Sequence, residues 1–174
     1  MDTILKRSDK KAFYGIPKTG GTGDPTFTRM RGFTEFSISR NPTEYSRRYV
    51  DEDSERTDVT GYSMSCSYAF DEFSGDAVHA DIISITDGEK VGADAQRDIV
   101  LVDFSKPATG GGFEAVRRTF SVIADSEGDS TDAYTYSGNL RATGEVIKGT
   151  ATIASPEDGN AKSALTVTFT KASE

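Results

Sequence analysis

The chain has 174 residues, with 20 Lys and Arg against 28 Asp and Glu and a formal net charge of −8. A domain of this length buries roughly two-thirds of the surface its unfolded chain exposes, so one domain with a real core is expected. The acidic balance keeps a monomer soluble and argues against a protein built to hold nucleic acid, because phosphate binding needs clustered cations.

In chain order, residues 1–24 show little periodicity. A basic patch (Lys6, Arg7, Lys10, Lys11) leads through Phe13, Tyr14 and Ile16 to Thr19-Gly20-Gly21-Thr22-Gly23. This reads as a flexible N-terminal arm on a glycine hinge, with Phe13, Tyr14 and Ile16 as its docking contacts and 25–174 as the main domain. From Phe27 to Val50 the pattern is extended. Phe36 and Ile38 share one parity, and Tyr45, Arg47 and Tyr49 alternate after Asn41-Pro42, where the proline predicts a kink or bulge in a long strand rather than its end.

Five acidic side chains follow in Asp51-Glu52-Asp53-Ser54-Glu55-Arg56-Thr57-Asp58. Then Tyr62, Met64, Cys66, Tyr68 and Phe70 fall on one parity, with Ser63, Ser65, Ser67 and Ala69 on the other. A period of two places these sets on opposite faces of a strand. Residues 33–70 therefore read as one long β-hairpin, its acidic tip longer than an ordinary hairpin loop.

The period changes at 75–88. Ala77, Val78, Asp81, Ile82 and Ile85 form an apolar stripe at helical spacing, with Ser74 or Asp76 as N-cap and Gly88 as terminator. Such an amphipathic helix is expected to pack on a sheet face. Asp98–Phe104 is apolar on both parities, as in a strand covered on both sides. Residues 113–124 alternate, Asp125–Asp132 is a second acidic loop, and two strands are predicted in Tyr134–Ala154 with a break near Gly144. Ser155–Asn160 reads as a turn, and Leu165, Val167 and Phe169 mark a last strand. The expected fold is mainly β: an antiparallel sandwich or barrel of about seven or eight strands with one flanking helix.

Little in the chain points to chemistry. Its one histidine, His79, falls beside the stripe of the predicted helix, on the surface or partly buried, and its one cysteine, Cys66, falls on the apolar side of a strand. That composition leaves no disulfide, no cysteine-based zinc site and no histidine-activated nucleophile, and a reducing cytosol is the expected compartment. The glycine runs at 20–23 and 110–112 lack the Gly-Lys-Ser/Thr ending of a phosphate loop. Asp125, Glu127, Asp129 and Asp132 lack the central glycine and closing glutamate of an EF-hand, so a solvated loop is expected. No catalytic residue, metal site or cofactor is expected, and no stretch approaches the ~20 apolar residues of a membrane span.

The run Asn41-Pro42-Thr43-Glu44-Tyr45-Ser46-Arg47-Arg48-Tyr49-Val50-Asp51-Glu52, followed by Thr57–Ser63 and Ser67-Tyr68-Ala69-Phe70-Asp71, resembles the major tail tube proteins of long, non-contractile (siphovirus-type) phage tails. Tyr136-Ser137-Gly138-Asn139-Leu140 to Gly144, and Ala164–Phe169, extend the resemblance over most of the chain from Thr34 onward. It implies a β-sandwich with one helix. In that family six copies form a ring, inner-sheet strands join into a continuous barrel around a channel, and stacked rings conduct DNA from capsid to host.

On the same basis Asp51, Glu52, Asp53, Glu55, Arg56 and Asp58 match the inter-ring stacking loop, and residues 1–24 match the arm. The partners implied are further copies of the chain and tape-measure, tail terminator and distal tail proteins, with DNA passing unbound and no membrane. The implied location is the virion tail, assembled in the cytoplasm of a bacterial host. A channel that passes DNA must not grip it, so carboxylates of the 51–58 loop are expected along the lumen or its seams. Ser63, Ser65 and Ser67 are expected to face the channel or a neighbouring subunit. The alternative is a non-enzymatic β-sandwich binding module of a phage particle (baseplate, decoration or carbohydrate-binding). Such a module presents aromatic side chains on a groove, and this chain has no tryptophan.

Overall fold

A computed structural model describes residues 4–18, 20–21, 23–153 and 160–172. In chain order these form β1 (Lys10–Ile16), β2 (Thr26–Arg29), β3 (Phe33–Ser39), β4 (Pro42–Arg47), β5 (Arg56–Tyr62) and β6 (Ser65–Asp71). The helix α1 (Ala77–Asp87) comes next, then β7 (Gln96–Pro107), β8 (Phe113–Glu127), β9 (Thr135–Ala142), β10 (Ile147–Ile153) and β11 (Thr166–Lys171).

Every strand pairing is antiparallel. The ladder β10-β11-β2-β1-β7-β8 closes on itself, because β8 also pairs with β10 (Ala151 opposite Phe113, Gly149 opposite Ala115). The result is a six-stranded barrel. The far half of β8 leaves the barrel and pairs with β9, from Phe120–Ala142 to Glu127–Tyr136, and β6 and β3 continue that second layer. One strand thus belongs to both layers.

Two cores follow from this branching. All six barrel strands point side chains inward, among them Phe13, Phe27, Val100, Phe104, Ala151 and Val167. The opposite faces of β1, β7 and β8 meet α1 and the second layer around Tyr14, Phe70, Val78, Ile82, Ile99, Phe120 and Leu140. Each fully buried side chain of this size contributes roughly 1.5–3 kcal/mol, so both cores are needed to hold the layers. The two-sided burial of β7 agrees with its apolar run on both parities.

The helix starts where Asp76 caps it, its carboxylate accepting from the N–H groups of Val78 (2.9 Å) and His79 (3.3 Å). Gly88 closes it. Val78, Ile82 and Ile85 of the predicted stripe are buried. His79 is buried outright, not at the surface. Its Nδ1 accepts from the Phe73 N–H (3.1 Å), which leaves the proton on Nε2 to donate to the Arg31 carbonyl (2.8 Å). Its ring stacks on Phe70 at 4.2 Å.

Several expectations need correction. The flexible arm over 1–24 does not describe Lys10–Ile16, which form β1 in the middle of the sheet. Phe13 and Tyr14 are buried in this chain's own two cores, and Ile16 packs partly buried against the second. Consecutive apolar residues on both faces of a strand leave no period to detect, which is why the segment looked irregular. Thr19 and Thr22 of the expected hinge lie outside the described residues, as does most of the turn expected at 155–160. The count is eleven strands among the described residues, not seven or eight. Tyr62 does not join Met64, Cys66, Tyr68 and Phe70 in the core; it lies in β5 and is 62% exposed. Met64 to Phe70 hold the apolar side as expected.

Gly138 of β9 sits tightly between β8 and β6. A Cβ there collides with the Ile123 carbonyl oxygen and comes within 2.6 Å of the Tyr68 hydroxyl. Gly138→Ala is therefore expected to destabilise the fold by about 1–3 kcal/mol in urea unfolding. A wild-type midpoint overturns that expectation.

Candidate assembly interface

The layer β8-β9-β6-β3 turns one face to the core and the other outward. Register sets the outer face as three cross-strand rows: Glu35-Ala69-Ser137-Ser126, Ser37-Ser67-Asn139-Ile123 and Ser39-Ser65-Arg141-Ser121. Hydroxyls and small side chains dominate, and the charges of Glu35 and Arg141 cancel. Ser67 donates to Asn139 Oδ1 (3.3 Å), and Ser65 Oγ accepts from the Asn41 side-chain amide (3.0 Å). Ser63 is exposed in the break between β5 and β6, with its carbonyl held by the same amide at 2.9 Å. Ser65 and Ser67 therefore share a face, and Ser63 stands at its end.

This layer has a free edge on each side. Beyond β3 there is no further strand among the described residues, and the Phe36 carbonyl on that strand takes a guanidinium N–H from Arg7 (3.4 Å). On the other side β8 pairs with β7 only as far as Ser121 opposite Gln96, so its last residues have no strand partner there. β3 and β8 run in opposite directions, as the antiparallel order β8-β9-β6-β3 requires.

The ribbon β4-β5 continues β3 and β6 beyond the body. Ser39 opposite Ser65 and Pro42 opposite Tyr62 belong to one register, interrupted by Asn41 at φ 43°. Asparagine tolerates that left-handed conformation better than most residues, so the kink expected at Asn41-Pro42 is local and the hairpin continues through it. All of β4 and all of β5 except half-buried Gly61 are exposed. The arm carries Tyr45, Tyr49, Val50, Val59 and Tyr62 into solvent. They are exposed apolar side chains on a two-stranded ribbon that no other strand of the described residues covers.

At the arm's tip Arg47 donates to the Tyr45 hydroxyl (3.2 Å) and lies 5.9 Å from the Tyr49 ring centre. Arg56 pairs with Glu52 at 3.8 Å, whereas Asp51, Asp53, Glu55 and Asp58 have no ion-pair partner among the described residues. The structure thus brings the six loop residues together on one arm. Phe13, Tyr14 and Ile16 lie in the body, and the serines lie on the outer sheet face.

Burial pushes the Cys66 thiol up to about 12, which leaves it protonated and unreactive. No group of three or more His, Cys, Asp or Glu side chains among the described residues is placed to hold a metal. No helix of the described residues is long and apolar enough to cross a membrane. What sequence reasoning missed is the pair of free edges. They depend on which strands lie side by side, and no local signal records that.

Known structures share this architecture. The chain is similar to one in the tail of an empty GTA particle refined with C6 symmetry, at 15% identity and a TM-score of 0.57, covering 82% of this chain and 97% of that one. It is also similar to the SPP1 tail tube, solved by solid-state NMR and cryo EM, at 16% identity and a TM-score of 0.53, covering 84% and 80%. No protein-family model and no curated protein sequence matches the chain. The fold is that of the phage tail tube proteins.

Proposed function

We propose that this chain is the non-enzymatic structural subunit of a phage tail tube, assembling into rings that stack around a DNA-conducting channel. The observation that carries this reading is a four-stranded layer with a free edge on each side and an outer face of hydroxyls. An exposed edge is a template for another strand. Here β3 of one copy meets the far half of β8 of the next, antiparallel, in a head-to-tail contact that closes into a ring when the rotation permits. The C6 symmetry of the GTA tail supports six copies per ring.

In that ring the face bearing Ser65 and Ser67 lines the channel, with Ser63 at its seam. Near-neutral hydroxyls offer DNA phosphates no array of cations, so transit is not slowed by binding. The arm carrying Asp51, Glu52, Asp53, Glu55, Arg56 and Asp58 reaches the adjacent ring. Its carboxylates at the seam repel the DNA backbone. Tape-measure, tail terminator and distal tail proteins are the partners this role implies, and the assembled location is a virion tail built in the host cytoplasm.

Negative-stain microscopy of the purified chain at rising concentration tests the reading, with rings or tubes of uniform diameter as the expected result. A sample that yields only monomers or amorphous material sinks it. Deleting residues 51–58 is expected to leave rings but abolish long tubes. Tubes of full length from that variant remove the stacking role from the arm.

A further inference from the structure

We infer that a basic groove at one end of the body receives the acidic β8–β9 turn of a second copy, so that copies join end to end with a single polarity. The inference rests on the tube-subunit reading and identifies a contact within it.

The groove exists because α1 fills only one end of the space between the layers. Toward the other end that space opens into a cavity of about 980 Å³ whose floor includes Phe36, Ile38, Met64, Leu101 and Val116. Its rim is cationic. Arg7, Arg40, Arg118 and Lys148 border it and have no carboxylate partner among the described residues. Lys10 and Lys106, also on the rim, are already paired with Asp103 (3.4 Å) and Glu114 (3.5 Å). Arg40 and Arg118 both approach the Met64 sulfur, at 3.9 and 3.6 Å, and so hold their charges at the mouth.

The opposite end of the molecule carries the opposite charge. β8 runs from the groove wall at Glu114 and Val116 to Asp125 and Glu127, a span of roughly 40 Å at ~3.3 Å per residue. Gly128 closes the turn into β9 by donating to the Thr135 carbonyl (2.8 Å). Glu72 is fixed beside that turn by its N–H bond to the Tyr134 carbonyl (2.8 Å). None of Glu72, Asp87, Asp125, Glu127, Asp129 and Asp132 has an ion-pair partner among the described residues. Asp87 is the last residue of α1, where a negative charge opposes the helix dipole. The concentrated field is felt locally: Glu127, followed by weaker effects that include Asp87 and Glu72, raises the pKa of the Tyr134 hydroxyl.

These like charges cost stability in an isolated chain, and so do unpaired cations around an apolar floor. A second copy displaced along β8 relieves both, because that one strand supplies the groove wall at its start and the acidic tip at its end. Asp125, Glu127 and Asp129 then meet the rim cations. Tyr134, half exposed beside the turn, supplies a ring for the floor. The arm β4-β5 is a poorer occupant. It leaves the body at Arg40-Asn41, beside the groove, so in a stack of one polarity the second copy presents its turn, not its arm, to that end. A contact between unlike ends repeats without closing, which is the geometry of a stack.

The test uses the full-length chain. Glu127→Lys with Asp129→Lys, and separately Arg40→Glu with Lys148→Glu, change only exposed side chains. Each pair is expected to raise the concentration needed for tube growth at least about tenfold, the equivalent of 1.4 kcal/mol. The chain carrying all four changes restores opposite charge and is expected to grow near the wild-type concentration. A photo-crosslinking residue at position 129 is expected to capture groove peptides of a second, isotopically distinct copy.

Normal tube growth by either pair, no recovery in the fourfold variant, or crosslinks from 129 only to the arm or the N-terminal residues overturns this contact. Each of those results leaves the tube-subunit reading standing, since tubes are still observed. A wild-type chain that forms neither rings nor tubes overturns both.

Discussion

Asp81→Ala is expected to cost about 3–5 kcal/mol of folding stability, the penalty for leaving a buried charge without its partner. Arg97, only 9% exposed, grips Asp81 in two places, Nε to Oδ2 at 2.7 Å and Nη2 to Oδ1 at 3.0 Å. Its remaining nitrogen donates to the Asp94 and Gln96 carbonyls at 2.9 and 2.7 Å. The fully buried Tyr14 hydroxyl donates to the same carboxylate at 2.8 Å. Burial works against the Arg97 charge, but the hydrogen bonds and the negative charge of Asp81 outweigh it and keep its pKa raised. The carboxylate therefore ties α1 to β1 and β7 at once, and alanine orphans a guanidinium and a phenol together. Urea unfolding followed by circular dichroism reads the loss. Asp81→Leu combined with Arg97→Met is expected to recover most of it, because an apolar pair of similar volume removes the charge as well as its partner. A loss below ~1 kcal/mol in Asp81→Ala would falsify this account.

The second large effect is a loss of stability in alkali. Burial, then the charge of Asp81 and the hydrogen bond to it, raise Tyr14 well above its usual value of 10.0. Burial, and secondarily Asp125, raise Tyr68 to about 12. A raised folded-state pKa means that the native state keeps its proton while the unfolded chain loses one. The stability these tyrosines contribute is then fully present below pH 10 and falls as pH climbs from there through the folded-state values. Tyr136 is likewise raised to about 12, chiefly by burial. A tyrosine raised to about 12, as Tyr68 is, accounts for about 2.3 kcal/mol by pH 12. Denaturant titrations between pH 8 and 12 should show a plateau to about pH 9, where the unfolded Cys66 thiol begins to lose its proton, and a steeper decline above pH 10 as the tyrosines join it. Tyr68→Phe should make the decline above pH 10 measurably shallower without abolishing it. A flat profile to pH 12 contradicts the burial of these hydroxyls.

The sequence carried the local periods and little of what lies between distant strands. The alternation of Met64, Cys66, Tyr68 and Phe70, the capped stripe from Asp76 to Gly88, and the kink at Asn41-Pro42 each act over a few residues, and each appears in the structure. The tail-tube resemblance likewise holds at the level of fold. Phe13 and Tyr14 carry no such period, because neighbours buried on opposite faces produce no alternation. Tyr62 was misread because parity predicts a face but not where the body ends, and past Ser63 there is no core for that face to meet. Barrel closure rests on Ala151 meeting Phe113, residues whose separation along the chain leaves no trace in composition. The groove is more remote still. It reflects an eleven-residue helix that leaves one end of an inter-layer space unfilled, a space defined by strands far apart in sequence. Of the candidate site, the acidic arm and the serine rows were legible as patterns, and the edges that give them a use were not.

The branching of β8 also bears on how such a subunit meets mechanical load. Its fifteen residues form one wall of the groove, pass through the seam where the layers part, and end beside the acidic turn. In the end-to-end stack proposed above, a pull leaves through the acidic end of β8 and enters through rim cations, of which Lys148 lies on β10 and only Arg118 on β8 itself. The load between them crosses the antiparallel ladder bonds of β8, which are strained in parallel shear rather than opened one at a time. A filament joined in this way would resist stretching within each copy and yield first at the ionic joints between copies.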